Sequence, residues 1–295
     1  MGSMAPPFDL ADLPTGVAMP LSPMVARVLA PNPSPFTFTG TQTYVVGSSD
    51  VAVIDPGPDE ADHLTALTAA IAGRPLVAIV CTHTHRDHSP AAQPLRAMTG
   101  APVIGCAPLT LDDDGPRADA AFDAAYRPDR ILADGERLAG EGWTLEAVAT
   151  PGHTSNHLCF ALVEEQALFT GDHVMGWSTS VISPPDGDMA DYMRSMQRLL
   201  ERQDTIYYPA HGEPIDNPQR LVRGMIGHRK QREGQILRFL ERNGDSLIPD
   251  MVAEMYKGVD PRLHPAAGRS VLAHLIDLHQ RGLVANRQDN RWGAL

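Results

Sequence analysis

Two periodicities divide the chain. Short apolar runs rich in branched residues predict strands at Met24–Leu29, Thr41–Val46, Val51–Ile54, Val77–Cys81, Val103–Gly105, Trp143–Thr150, Leu158–Leu162, Ala167–Thr170 and Thr205–Tyr208. The second and third read as a hairpin around Gly47-Ser48-Ser49-Asp50. Between the strands the spacing lengthens to that of a helix. Glu60–Ala72 places Leu64, Leu67, Ala70 and Ile71 on one face and stops at Gly73. A second helix is predicted from about Ser89 to Met98, with Ser89 as its cap and Pro90 in its first turn. Asp188–Glu201 gathers Met189, Tyr192, Met193, Met196, Leu199 and Leu200 into an amphipathic helix. Strands interleaved with helices define an α/β fold with a layered core.

Other stretches read differently. Residues 5–23 are proline-rich and expected to wrap the surface, and Ala107–Asp129 is an acidic, alanine-rich excursion with weak helical character. After residue 217 the pattern becomes helical: Pro218 opens a long helix that closes near Gly244, followed by helices at Ile248–Tyr256 and Ala266–Gln280. Leu283–Ala285 and Trp292–Leu295 can pair around Gln288-Asp289-Asn290, which completes a winged-helix arrangement. The expected organisation is therefore an extension over 1–23, with Met1-Gly2-Ser3 read as a tag scar, a catalytic domain over 24–217, and a connecting helix with a winged-helix-like domain over 218–295.

Charge sharpens that division. The 295 residues carry a net charge of −12. Up to His211 there are 11 basic against 26 acidic residues, a net of −15; from Gly212 onward there are 13 against 10, a net of +3. The acidic half offers no general attraction for nucleic acid or anionic membranes. No apolar run approaches the roughly 20 residues of a membrane span, and the N-terminus lacks the basic and apolar regions of a signal peptide. Three scattered cysteines, Cys81, Cys106 and Cys159, do not form a disulfide framework, so a reducing, cytoplasmic setting is expected.

The chemistry is concentrated in Thr82-His83-Thr84-His85-Arg86-Asp87-His88-Ser89, directly after an apolar strand. Imidazoles and carboxylates at this density are the ligand types of zinc, with iron or manganese also served by them. Alternation along extended backbone puts His83, His85 and Asp87 on one side and sends His88 elsewhere, toward a second ion. Three later strands also end at such residues: His153 after Thr150-Pro151-Gly152, Asp172 after Gly171, and His211 after Pro209-Ala210. Ligands of α/β proteins collect beyond the carboxyl ends of strands. His83, His85 and His153 are expected to hold one ion and Asp87, His88 and His211 the other, with Asp172 bridging them and one shared position left for the attacking water or hydroxide. Asp87 is also a candidate to orient that nucleophile.

Further candidates carry two readings each. Asp55 either supports a ligand imidazole from behind or caps a turn. His157 either contacts substrate and protonates a leaving group or is packed in the core. Trp177 belongs to a wall of the site or to a surface loop. Arg229 and Arg232 fall in or beside the apolar arc of the long helix. They either make an ion pair that docks it or hold an anionic substrate.

His-x-His-x-Asp-His followed by His153, Asp172 and His211 resembles the signature of the metallo-β-lactamase superfamily, over roughly residues 24–215. The resemblance implies a four-layer αβ/βα sandwich with two Zn2+ at one edge of the sheets. Asp172 resembles the thioesterases, phosphodiesterases and nucleases of the superfamily rather than its true β-lactamases. Within it, Asn32-Pro33-Ser34-Pro35-Phe36, Gly40-Thr41-Gln42-Thr43-Tyr44, Asp191-Tyr192-Met193, Tyr208–Gly212 and the His228–Ile236 segment are similar to the β-lactamase-like protein 2 group, with Gln42 where that group has Asn. That similarity implies an endoribonuclease acting on single-stranded RNA. A small-molecule acyl substrate, a thioester or lactone cut in the manner of glyoxalase II, is the competing expectation, and a non-enzymatic winged-helix binder the third.

Overall fold

The computed structural model describes residues 14–109 and 122–295. Seven strands form the first sheet in chain order: Ala18–Pro20 (β1), Val25–Leu29 (β2), Gln42–Val46 (β3), Val51–Ile54 (β4), Leu76–Cys81 (β5), Val103–Gly105 (β6) and Arg130–Ile131 (β7). Pairing is antiparallel up to β4 and parallel from β4 to β7. The second sheet contains Arg137–Gly140 (β8), Trp143–Ala149 (β9), Leu158–Leu162 (β10), Ala167–Gly171 (β11) and Ile206–Pro209 (β12), in the order β12-β11-β10-β9-β8.

Side-chain alternation along the second sheet builds two cores. Leu158, Phe160 and Leu162 of β10 face the first sheet, with Leu145 and Ala147 of β9 and Phe169 of β11. Cys159 and Ala161 point the other way, with Val148 and Leu168, onto the helix Met189–Leu200 (α3). Strands buried on both faces need apolar residues at successive positions, which explains the unbroken apolar runs in the sequence. Ala61–Ile71 (α1) and Ala92–Thr99 (α2) pack on the first sheet, whose core includes Leu64, Leu67, Ile71 and Leu95. The result is the expected αβ/βα sandwich.

The long helix Pro218–Asn243 (α4) belongs to two cores. Val222, Met225 and Ile226 pack with α3 on the second sheet, whereas Ile236, Phe239 and Leu240 pack with Ile248–Met255 (α5), His264–Gln280 (α6) and the hairpin Val284–Asn286 (β13) with Trp292–Ala294 (β14). One rigid helix thus joins the C-terminal domain to the catalytic sandwich.

Four local expectations are corrected. Ser89 does not cap α2, whose N-cap is Ala91; its hydroxyl donates to Asp123 Oδ2 at 3.0 Å, and Ser89-Pro90-Ala91 form a turn. The extension is not only a wrapping segment, since β1 pairs with β2. β7 and β8 were not expected, because their exposed, charged residues carry no apolar alternation. Of the Ala107–Asp129 excursion, 110–121 lie outside the described residues, and the described remainder holds turns rather than helix. No helix among the described residues is long and apolar enough to cross a membrane.

Candidate metal centre

β5, β9, β11 and β12 end at one edge of the sandwich, and a candidate ligand follows each end within four residues: His83, His153, Asp172 and His211. Thr82 leads into His83 and His85, which sit on extended backbone. The chain then turns at Arg86-Asp87-His88, where the His88 N–H donates to the His85 carbonyl at 3.0 Å. That turn corrects the alternation argument for Asp87: it does not share a side with His83 and His85 but joins His88 and His211. Gly171 makes the approach of Asp172 possible. Its φ is +50°, and a Cβ there would lie 2.7 Å from His157 Nε2 and 2.8 Å from Thr82 Oγ1.

The ligand atoms fall into two groups, His83, His85, His153 and Asp172 in one and Asp87, His88 and His211 in the other, each within 4.8 Å. His85 Nδ1 lies 3.0 Å from His83 Nε2 and 3.1 Å from His153 Nε2. Asp172 faces both groups: Oδ2 is 3.6 Å from His153 Nε2, while Oδ1 is 3.2 Å from His211 Nε2 and 3.5 Å from His88 Nε2. Asp87 Oδ2 stands 3.2 Å from His211 Nε2 and 3.4 Å from His88 Nε2. Three imidazole nitrogens converging on one point, with His88 Nε2 and Asp172 Oδ1 buried and without hydrogen-bond partners, fit a pair of cations. All seven expected ligands are therefore brought together, and Asp172 has the placement of a bridge.

The electrostatics differ between the groups. Burial pushes His83 down, with the His88 charge adding to it, and pushes His85 down to about 3, so both imidazoles are neutral and ready to ligate. Burial opposes charge on His88 and His211 too, but the carboxylates of Asp87, Asp172 and Asp55 hold His88 well above its ordinary value, and Asp172 and Asp87 raise His211 to about 10. The carboxyls answer in kind: against the effect of burial, His88 and His211 hold Asp87 and Asp172 well below the carboxylate range.

Asp55, just past β4, takes the supporting place behind a ligand. Its Oδ2 lies 2.9 Å from His88 Nδ1 and its Oδ1 accepts the Thr82 N–H at 2.8 Å. His157 is corrected as a leaving-group acid: it is 1 % exposed, and its Nδ1 is 2.9 Å from Thr150 Oγ1. Its ring packs 5.1 Å from that of His83, beneath the ligands, and burial keeps it neutral. Trp177 stacks on Phe38 at 4.8 Å and lines a cleft between the domains, not the mouth over the metal ligands. Arg229 and Arg232 line the same cleft. Among the described residues, the expected docking ion pair of Arg229 is not made. Its guanidinium donates to the Ser180 carbonyl and lies over the Tyr192 ring at 5.2 Å.

Several contributors were not among the candidate site residues. Gln42 donates through Nε2 to the Gly212 carbonyl, and the Gly40 carbonyl lies 3.2 Å from His211 Nδ1, so the strand around residues 40–44 orients that ligand. Phe36, Met175 and Val181 line the mouth over the metal ligands, and Arg269 of the C-terminal domain lines the adjoining hollow with His85 and His153. The Gly-Thr-Gln-Thr-Tyr similarity pointed at Gly40 and Gln42 and the Asn-Pro-Ser-Pro-Phe similarity at Phe36, whereas nothing pointed at Met175, Val181 or Arg269.

A layered α/β sandwich with a seven-residue His/Asp cluster at one sheet edge defines a class of metal-dependent hydrolases. Residues 36–211 match the metallo-beta-lactamase superfamily and residues 248–292 the beta-lactamase associated winged helix domain; the chain belongs to that superfamily. A beta-lactamase-like protein 2 homolog of Caenorhabditis elegans is 32% identical over 271 residues, covering 90% of this chain and 88% of the relative. An atrochrysone carboxyl ACP thioesterase of Cryptosporiopsis sp. (strain 8999) is 36% identical over 231 residues, covering 75% of this chain and 64% of the relative. A beta-lactamase domain protein from Burkholderia ambifaria shares the fold with a TM-score of 0.79 at 19% identity, covering 97% of each chain.

Proposed function

We propose that this hydrolase cuts an acyl substrate, a thioester or related ester, with two zinc ions held by the seven ligands. The observation that carries this reading is the setting of the metal ligands. Their mouth shares Phe36, Met175 and Val181 with an interdomain cleft of about 450 Å³, whose other walls include Trp177, Tyr256 and Leu263. Mostly apolar walls with a few polar groups suit a small organic substrate. His83, His85, His153, Asp87, His88, His211 and Asp172 would hold a pair of divalent ions, which would supply an activated water and polarise the scissile group. The protein's own residues do the rest. Asp172 sets the spacing of the two ligand groups, Asp87 has the position to accept a hydrogen bond from the attacking water, and Phe36 with Val181 shields the site. Thr41 Oγ1 donates to Asp87 Oδ2 at 3.2 Å and so fixes that carboxylate. The thioesterase named among the relatives supports the acyl reading. The His/Asp donor set equally serves iron or manganese. The three cysteines are buried and free, which suits the cytoplasmic setting that forms part of the proposal.

Cleavage of single-stranded RNA is the second reading. Arg220, Arg223 and Lys230 are exposed along α4, and Phe36, Trp177 and Tyr256 offer ring faces to bases. The net of −15 on the catalytic half weighs against it, because polyanion binding draws on Lys and Arg. One experiment separates them: metal-reconstituted protein and its Asp172→Ala variant are offered aryl thioesters, lactones and an unstructured RNA side by side. Turnover of the acyl panel, lost in the variant, is expected; RNA cutting without acyl turnover overturns the reading.

A further inference from the structure

We propose that Arg229 and Arg232, on the floor of the interdomain cleft, hold an anionic group of the ligand, a carboxylate or a phosphate, remote from the bond that is cut. The identity of that ligand as a substrate rests on the acyl-hydrolase reading; the anion site itself does not.

Arg229 is 4 % exposed, yet among the described residues no carboxylate pairs with it. Its contacts are the Ser180 carbonyl, Ser270 Oγ at 3.5 Å and the Tyr192 ring, and its Nε has no hydrogen-bond partner. Arg232 donates to Gln235 Oε1 at 2.8 Å and to the Met255 carbonyl at 3.3 Å, and lies 4.3 Å over the Tyr256 ring. A buried guanidinium ordinarily has a carboxylate partner, because charge removed from water needs compensation. The acids nearby are engaged elsewhere: Glu233 and Asp277 with Arg281 at 2.7 and 3.1 Å, and Asp260 with Arg262. Two histidines lie close enough to the arginines to feel their charge. His228 and His274 are lowered by burial first and then by Arg229 and Arg232.

The same strip of backbone joins this floor to the metals. Arg229 is bound to the Ser180 carbonyl, and the next carbonyl, that of Val181, lies 2.7 Å from Nδ1 of the ligand His153. Val181 and Phe36 line both the cleft and the metal mouth. A ligand seated against the arginines therefore extends toward the ions along a single wall. Its body is apolar, to match Trp177, Leu263 and Ala266, and its far end is charged.

The test uses the full chain in metal-free form, so that anions have no ions to bind. Calorimetry compares 4-phenylbutyrate and phenyl phosphate with the neutral 4-phenylbutanol, in the wild type and in Arg232→Gln and Arg232→Lys; thermal melts verify that each variant is folded. At least one of the anions is expected to bind about tenfold more tightly than the alcohol, with that preference lost in Arg232→Gln and partly kept in Arg232→Lys. The stronger of the two identifies carboxylate or phosphate. Equal binding of anions and alcohol, or a preference unchanged in Arg232→Gln, overturns the proposal. Absence of thioester turnover in metal-loaded protein, with the anion preference intact, refutes the acyl reading and leaves the anion site standing.

Discussion

Asp55 Oδ2 stands 2.9 Å from Nδ1 of His88, and this pairing presents the other nitrogen, Nε2, to Asp87 and Asp172. The carboxylate is itself fixed by the Thr82 N–H and hydroxyl, both at 2.8 Å, on backbone with φ +49°. Imidazoles held in this way bind metal more tightly, and loss of such a partner commonly costs about 10–100-fold in affinity. Asp55→Ala is expected to weaken the ion held by Asp87, His88 and His211 by about that factor, as read by competition with a chromogenic chelator. Unchanged affinity would show that Asp55 only caps a turn.

Metal uptake should release protons. His88 and His211 lie above their ordinary value in the metal-free protein, His211 at about 10, so both are charged at neutral pH and a cation must displace those protons. Affinity is therefore expected to rise with pH between 6 and 8. Calorimetry in buffers of different ionisation enthalpy should detect net proton release. The raised His211 also stabilises the metal-free fold. That contribution is complete below about pH 6.5 and is lost as pH rises through about 10. Metal-free protein should melt lower at pH 10.5 than at pH 7, and an identical melting temperature contradicts the pairing.

Gly152 precedes the ligand His153 with φ +136°, and a Cβ there would fall 2.3 Å from the Tyr192 Cα and 2.4 Å from its N. Backbone atoms of α3 cannot yield as a flexible side chain can. Gly152→Ala should cost about 2 kcal/mol or more in urea unfolding and weaken the ion held by His83, His85 and His153. A stable variant with normal metal affinity would contradict the close approach.

His274 of α6 is 1 % exposed, and neither ring nitrogen has a hydrogen-bond partner among the described residues. Burial, with the charges of Arg229 and Arg232, lowers it to about 3. Unfolding at acid pH lets the ring take a proton that the folded state refuses, so stability falls as pH drops below about 6.5. From this group alone the loss is about 2 kcal/mol by pH 5. His274→Leu should flatten the decline of the unfolding midpoint between pH 6.5 and 4. An equally steep decline in the variant would contradict the assignment.

The sandwich was legible because its inner strands are buried on both faces and announce themselves as apolar runs, and because Gly73 and Gly244 mark helix ends. The seven ligands were legible because metal chemistry restricts residue types and each follows a strand. Other features depended on tertiary context. β7 and β8 lack an apolar face, and the turn at Arg86-Asp87-His88 replaced an extended path, so that Asp87 sits with His88 and His211, the grouping expected of it, and not on the side of His83 and His85. His157 has the residue type of a catalytic acid, but only the fold shows it sealed beneath His83. Met175 and Val181 reach the mouth only through the folding of the catalytic domain, and the contribution of Arg269 depends on how the C-terminal domain meets the sandwich, which no local pattern encodes.

The most direct measurement is the metal content of the purified, reconstituted protein by elemental analysis, with Asp172→Ala alongside. Two equivalents of divalent transition metal per chain are expected in the parent, falling to one or fewer in the variant. No bound metal in the parent, or equal loading of the two proteins, would contradict a dinuclear centre bridged by Asp172.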